Sequence, residues 1–222
     1  MTNYKVVEIF SSINGEGTRA GQLAVFVRMQ GCNLNCTYCD TKWANEADAK
    51  FHWTSTEEIL ELLRSMEIKN VTITGGEPLL QEEIGELLEA MAKEENLRVE
   101  IETNGSVALD CFHNLLHRPA FTMDYKCPDS GMEQAMCTDN FSLLLSKDTV
   151  KFVVSSIADL EKARTICTQY KIANHCPIFL SPVFGRIDPK EIVEYMIEHH
   201  WNEARLQLQM HKFIWPPEQR GV

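Results

Sequence analysis

The chain has 222 residues, 44% of them apolar, and a formal net charge of −11. That length favours one domain over residues 1–222 with a sizeable core, while the negative charge, with no Lys/Arg run, excludes nucleic acid and anionic membrane as natural partners. No stretch approaches the ~18 apolar residues of a membrane helix and nothing near Met1 reads as an export signal. A reducing, cytoplasmic setting is therefore expected, in which the eight cysteines are thiols or metal ligands.

In chain order, residues 4–10 and 23–29 read as strands rich in β-branched and aromatic side chains. Between them, Ile13, Asn14, Gly15, Glu16 and Gly17 form a loop that is either a plain turn or a place where backbone approaches a ligand closely. Alternation along 23–29 puts Ala24, Phe26 and Arg28 on one face and Val25, Val27 and Met29 on the other. An arginine in so apolar a strand needs an anionic partner, which is either a structural acid or the carboxylate of a substrate.

The densest pattern follows: Cys32, Cys36 and Cys39, spaced C-x3-C-x2-C. Three thiolates can hold a 4Fe–4S cluster and leave one iron open to a small molecule, an arrangement for chemistry rather than electron storage alone. Structural zinc normally takes four N or S ligands, and the count of three disfavours it. The other five cysteines, Cys127 and Cys137 included, show no second tight spacing.

Downstream, Ser55 and Glu58 make a capping-box pattern before a helix whose core stripe is Ile59, Leu60, Leu62, Leu63 and Met66. Residues 70–74 form a buried-type strand running into Gly75-Gly76-Glu77-Pro78, followed by a helix over 80–94. Strands are expected at 98–103, 121–125, 149–154, 176–180 and 205–210, helices at 158–170 and 188–198, and a polar loop or lid at 129–140. This rhythm calls for an α/β fold with a parallel sheet. Because a full eightfold barrel takes about 250 residues, an incomplete (β/α)6-type partial barrel is expected. In such folds the C-terminal strand ends gather the active site, here Thr74, Asn104, Asp124-Tyr125-Lys126 and Ser181.

The cysteine spacing, Tyr38 just before the third cysteine, and Gly75-Gly76-Glu77-Pro78 together resemble the radical S-adenosylmethionine (SAM) superfamily. With Asn14-Gly15-Glu16-Gly17, the run over 26–41, the TGGEP and IETNG segments at 74–78 and 101–105, and Gln209, His211 and Lys212 near the end, the chain closely resembles the 7-carboxy-7-deazaguanine synthase family. The likeness implies a homodimer of partial barrels that uses a 4Fe–4S cluster, SAM and Mg2+, and draws electrons from a donor such as flavodoxin or ferredoxin. It implies ring contraction of 6-carboxy-5,6,7,8-tetrahydropterin to 7-carboxy-7-deazaguanine with loss of ammonia, on the route to queuosine.

By the same resemblance Cys32, Cys36 and Cys39 ligate the cluster. Tyr38, Cys39, Asp40, Gly75, Gly76, Glu77, Asn104, Asp124, Tyr125, Lys126 and Ser181 hold SAM. Ile13, Asn14, Gly15, Glu16, Arg28 and Thr74 hold the pterin, and Thr41 holds Mg2+. The chain departs from many members in having Asn14 for Gln and Asp124-Tyr125 for Ser-Pro. Two rivals share parts of the pattern: an activase that makes a glycyl radical on a partner protein, and a non-enzymatic iron–sulfur or zinc protein.

Overall fold

The structure is a computed structural model that describes residues 2–46 and 48–222. Among the described residues, nine strands form one sheet in the order β3-β1-β2-β4-β5-β6-β7-β8-β9. These are β1 (Asn3–Ile13), β2 (Leu23–Met29), β3 (His52–Ser55), β4 (Asn70–Gly75), β5 (Arg98–Thr103), β6 (Ala120–Tyr125), β7 (Thr149–Val154), β8 (Ile178–Pro182) and β9 (Ala204–Leu206). Every neighbouring pair from β2 to β9 is parallel, whereas β1 runs antiparallel to both β2 and β3. The sheet stays open, so the expected partial barrel is borne out, with an antiparallel hairpin added at one edge.

The main helices form where the sequence signals them. Ser55 caps α2 (Thr56–Met66) and closes a capping box with Glu58, and the helix buries Ile59, Leu60 and Leu63. Asp188 does the same for α6 (Pro189–Glu198), with Pro189 in the first turn, and Ser156 caps α5 (Ile157–Gln169). Three short helices complete the set: α1 (Lys42–Asn45), α4 (Asp110–His113) and α7 (His211–Ile214), with α3 (Ile84–Ala92) between β4 and β5.

Three expectations change. The helix expected over 80–94 begins only at Ile84, because Pro78–Leu80 forms a 3-10 turn capped by the Glu77 side chain and Glu83 adopts a left-handed φ of 54°. The final strand ends at Leu206; Gln207 N–H still donates to Leu180 C=O of β8 at 2.9 Å, while its side chain accepts from Gly17 N–H at 2.7 Å and donates to Gly17 C=O at 3.1 Å. That side-chain amide ties the segment after β9 to the loop after β1. Lastly, 129–140 is no lid. It braces the cysteine loop from outside, with Thr37 N–H donating to Ser130 C=O at 3.0 Å and the Thr37 hydroxyl to Asp129 C=O at 2.7 Å.

The two faces of the sheet differ in chemistry. Val25, Val27 and Met29 of β2, Val71 and Ile73 of β4, and Ile101 of β5 are fully buried in the apolar layer. The alternate positions point to the concave side and are polar: Thr72 and Thr74, Glu100 and Glu102, Thr122 and Asp124, then Lys151. At the base of this layer a second buried pair, Arg118 with Asp148, joins the start of β6 to the turn before β7 at 2.8 Å.

Candidate active site

The strand ends open into a cavity of about 450 Å³ on this polar concave side. Cys32, Cys36 and Cys39 all line it. The loop that carries them is stitched to the Gly75-Gly76-Glu77 turn: Gly76 N–H donates to Met29 C=O at 3.1 Å and Glu77 N–H to Gly31 C=O at 2.8 Å. These contacts explain both glycines. A Cβ on Gly75, whose φ is +128°, would collide with Met29 backbone, and one on Gly76 would collide with the Gly31 carbonyl and the Asn45 side chain.

Two donors point at the first of the three sulfurs. Leu34 N–H points at Cys32 Sγ at 3.4 Å and Asn104 Nδ2 at 3.5 Å. Burial pushes the Cys36 thiol above its ordinary pKa, against the pull of Lys126. A bound metal reverses that preference by holding the thiolate outright. No three His, Cys, Asp or Glu side chains among the described residues surround a single-ion site. A cubane needs none, since each thiolate takes a different iron.

Asn14, Glu16 and Arg28, expected from sequence to meet the substrate, line the same cavity. Asn14 is buried, with Oδ1 accepting from the Thr72 hydroxyl at 2.9 Å. Glu16 accepts from the Ser181 hydroxyl at 2.7 Å and lies 3.2 Å from Lys151 Nζ. Arg28 Nε donates to Glu8 at 2.8 Å, and the guanidinium lies over the Phe10 and Trp43 rings. Both readings of Arg28 are therefore present: one edge has a structural acid, while the residue still lines the cavity with Nη donors to offer. Among the described residues seven buried side-chain polar atoms lack a hydrogen-bond partner, and three of them belong to cavity-lining residues: Asn14 Nδ2, Asn45 Oδ1 and Asp124 Oδ1, the last ion-paired with Lys151. Buried polar atoms are rarely left so, and these fit a polar ligand.

A profile of the Radical SAM superfamily matches residues 26–122. The 7-carboxy-7-deazaguanine synthase of Clostridium acetobutylicum is 56% identical over 99% of this chain and 100% of its own length. The chain belongs to the 7-carboxy-7-deazaguanine synthase family. The synthase of Chlorobaculum tepidum is 36% identical over 98% of this chain and 96% of its own. A crystal structure of QueE from Escherichia coli shares the fold with a TM-score of 0.70 at 24% identity, covering 94% of this chain and 95% of that one.

Membership in this synthase family brings a 4Fe–4S cluster and SAM. The residues present fit both, since three thiols, two obligatory glycines and unpartnered polar atoms share one cavity. Three residues assigned to SAM from sequence do not reach the cavity with their side chains. Glu77 is fully buried behind the turn, where its carboxylate accepts from Leu79 N–H, Asn104 N–H and the Thr103 hydroxyl. Tyr125 faces the core between Phe141 and Phe152, its hydroxyl donating to Glu133 at 3.0 Å. Ser181 is spent on Glu16.

Other cavity residues escaped the sequence reading: Trp43, Glu100, Glu102 and Lys151. The signal was the polar alternation in RVEIET and the single lysine in TVKFVV. Burial raises the Glu102 carboxyl, with Lys151 and a 2.7 Å bond from Thr74 opposing the rise.

His211 also sits at this mouth, and its ring would obstruct any Cβ on Gly15. Burial lowers its pKa, and Lys212 and Lys151 add to the effect while Glu16 and Asp40 oppose it. The unfolded value near 6.5 therefore exceeds the folded one. The native state binds fewer protons, so its stability is full above that value and falls as pH drops through the folded pKa, by at most about 1.4 kcal/mol per pH unit. Denaturant unfolding of wild type and His211→Gln at pH 7.5 and 5.5 checks this. The difference between the two proteins is expected to shift in favour of the variant at the lower pH.

Proposed function

We propose that the chain converts 6-carboxy-5,6,7,8-tetrahydropterin to 7-carboxy-7-deazaguanine with release of ammonia, the ring-contraction step on the route to queuosine. The observation that carries this is one cavity lined both by the cysteine trio and by Arg28, Asn14 and Glu16. The bound cluster and SAM supply one-electron cleavage of a sulfonium and hydrogen abstraction from the substrate. The chain's own residues bind and orient. Cys32, Cys36 and Cys39 hold the cluster; Tyr38, Asp40, Gly75, Gly76, Asn104, Asp124 and Lys126 face SAM. Ile13, Asn14, Gly15, Glu16 and Thr74 line the pterin side, and Arg28 meets the carboxylate.

In this reading residues 1–222 are one catalytic unit in which the β1–β2 hairpin supplies the substrate loop. It works as a cytoplasmic homodimer fed by flavodoxin or ferredoxin. A glycyl-radical activase needs an open face for a protein, and the inward-facing Arg28 and Asn14 favour a small polar substrate. Ammonia release from anaerobically reconstituted, reduced protein given the carboxypterin tests the proposal. Cleavage of SAM without ammonia release would return the activase to the lead, and failure to assemble a SAM-responsive cluster would favour the non-enzymatic reading.

Mg2+ is assigned to Thr41, whose hydroxyl lines the cavity, makes no capping bond to α1 and lies 3.6 Å from Cys39 Sγ. One hydroxyl is a weak ligand for a hard cation that keeps its waters. Tight Mg2+ binding is therefore expected only with the carboxypterin present. Equilibrium dialysis with and without substrate measures it, and full occupancy without substrate would contradict it.

A further inference from the structure

Lys151 is the one charged residue of β7, whose other members are Thr149, Val150, Phe152, Val153 and Val154. It is 6% exposed and lines the cavity. A buried ammonium is costly unless paired, and this one is paired twice. Its Nζ lies 3.2 Å from Glu16 Oε2 and 3.2 Å from Asp124 Oδ1. The second contact is off the line of a hydrogen bond, which leaves Asp124 Oδ1 able to accept from a ligand.

The two carboxylates belong to different halves of the site. Glu16 is in the loop after β1, on the pterin side, and reaches Lys151 across 135 residues. Asp124 is the penultimate residue of β6, directly opposite Lys151 in register, and its other oxygen accepts from Lys126 at 2.8 Å. Glu16, Lys151, Asp124 and Lys126 thus alternate in sign along one line from the pterin loop toward Cys36. Neither carboxylate depends on Lys151 alone. Glu16 keeps Ser181 and Gln209, and Asp124 keeps Lys126. What Lys151 adds is the link between them. Burial disfavours its charge, yet Asp124, Glu16 and Glu102 hold its pKa above the ordinary lysine value.

We propose that Lys151 is a positioning residue that couples the two ligand subsites, so that filling the pterin loop around Glu16 fixes Asp124 for SAM, and the reverse. This rests on the assignment of Glu16 to substrate and Asp124 to SAM. An ammonium shared by two carboxylates orders both at once, and a ligand that orders one lowers the cost of ordering the other. Such coupling is reciprocal and typically begins at about fivefold.

The test is equilibrium binding of SAM to reconstituted, unreduced protein with and without the carboxypterin, in wild type, Lys151→Met and Lys151→Arg. In wild type each ligand is expected to tighten the other about fivefold or more. In Lys151→Met that factor falls to about one while SAM alone binds within about twofold of wild type, and Lys151→Arg restores part of it. Coupling that persists in a folded Lys151→Met overturns the proposal. So does a wild type in which both ligands bind with no coupling. If wild type binds SAM but no carboxypterin, the substrate assignment itself has failed and takes the proposal with it. Should Lys151→Met not fold, Asp124→Asn weakens the same bridge from its other end, and undiminished coupling there overturns the idea equally.

Discussion

Replacing Arg28 by alanine is expected to raise the KM for the carboxypterin by roughly 30- to 4,000-fold, the equivalent of losing about 2–5 kcal/mol from a buried charged contact. Uncoupled cleavage of SAM by the same variant should stay near the wild-type rate, because Arg28 is assigned to the substrate and not to the cofactor. Two features of the structure sharpen the expectation. Glu8 occupies Nε at 2.8 Å, so the variant leaves that carboxylate unpaired beside the place where an anionic group must sit. Like-charge repulsion then adds to the lost attraction. The Arg28→Ala, Glu8→Gln double variant should therefore recover part of the defect. Lysine should substitute poorly, since a point charge cannot bond Glu8 and a second carboxylate while lying over Phe10 and Trp43. Steady-state kinetics with both products measured checks this, and equal loss of SAM cleavage would make Arg28 structural.

Much of this architecture is legible because local rules and tertiary packing agree. The β2 span from Leu23 to Met29, the capping box at Ser55 and the glycine pair at Gly75-Gly76 each have a local physical cause. Where sequence reading failed, the cause lay in distant partners. Gln207 carries no local sign that its side-chain amide bonds Gly17, 190 residues away in sequence. Residues 129–140 are polar and irregular, hence the lid reading, yet their carbonyls are satisfied by Thr37 on the cysteine loop. β3 has only four residues and pairs solely with β1 among the described strands, too little pattern to detect. The polar inner layer was hidden for another reason: Glu100, Glu102 and Lys151 sit in strands whose apolar alternates dominate the reading. Family resemblance located the motifs but could not say which way a side chain points, which is why Glu77, Tyr125 and Ser181 were assigned to a ligand that their side chains do not face.

Glu77 is the strongest test of that distinction. Its carboxylate accepts from Leu79 N–H at 3.0 Å, Asn104 N–H at 2.6 Å and the Thr103 hydroxyl at 2.9 Å, all inside a region with no exposed surface at Glu77 itself. Alanine would leave three donors buried without an acceptor, each at about 1–3 kcal/mol, so a loss of roughly 3–9 kcal/mol is expected. Because these donors fix both the turn that holds Gly75-Gly76 and the strand end at Asn104, the cysteine loop should loosen as well. Anaerobically reconstituted Glu77→Ala is then expected to hold substoichiometric iron and to melt well below wild type, whereas Glu77→Gln, which keeps one carbonyl acceptor, falls between. The pH dependence has a definite sign. Burial pushes the Glu77 carboxyl up to about 7, with the Asn104, Leu79 and Thr103 bonds opposing the rise. A carboxyl raised in the folded state stabilises most below its unfolded pKa near 4.5, and that contribution fades as pH rises through 7. The stability gap between wild type and Glu77→Ala should accordingly be wider at pH 5 than at pH 8. A Glu77→Ala protein that retains full iron and melts with wild type while losing SAM affinity would show instead that this carboxylate meets the cofactor directly.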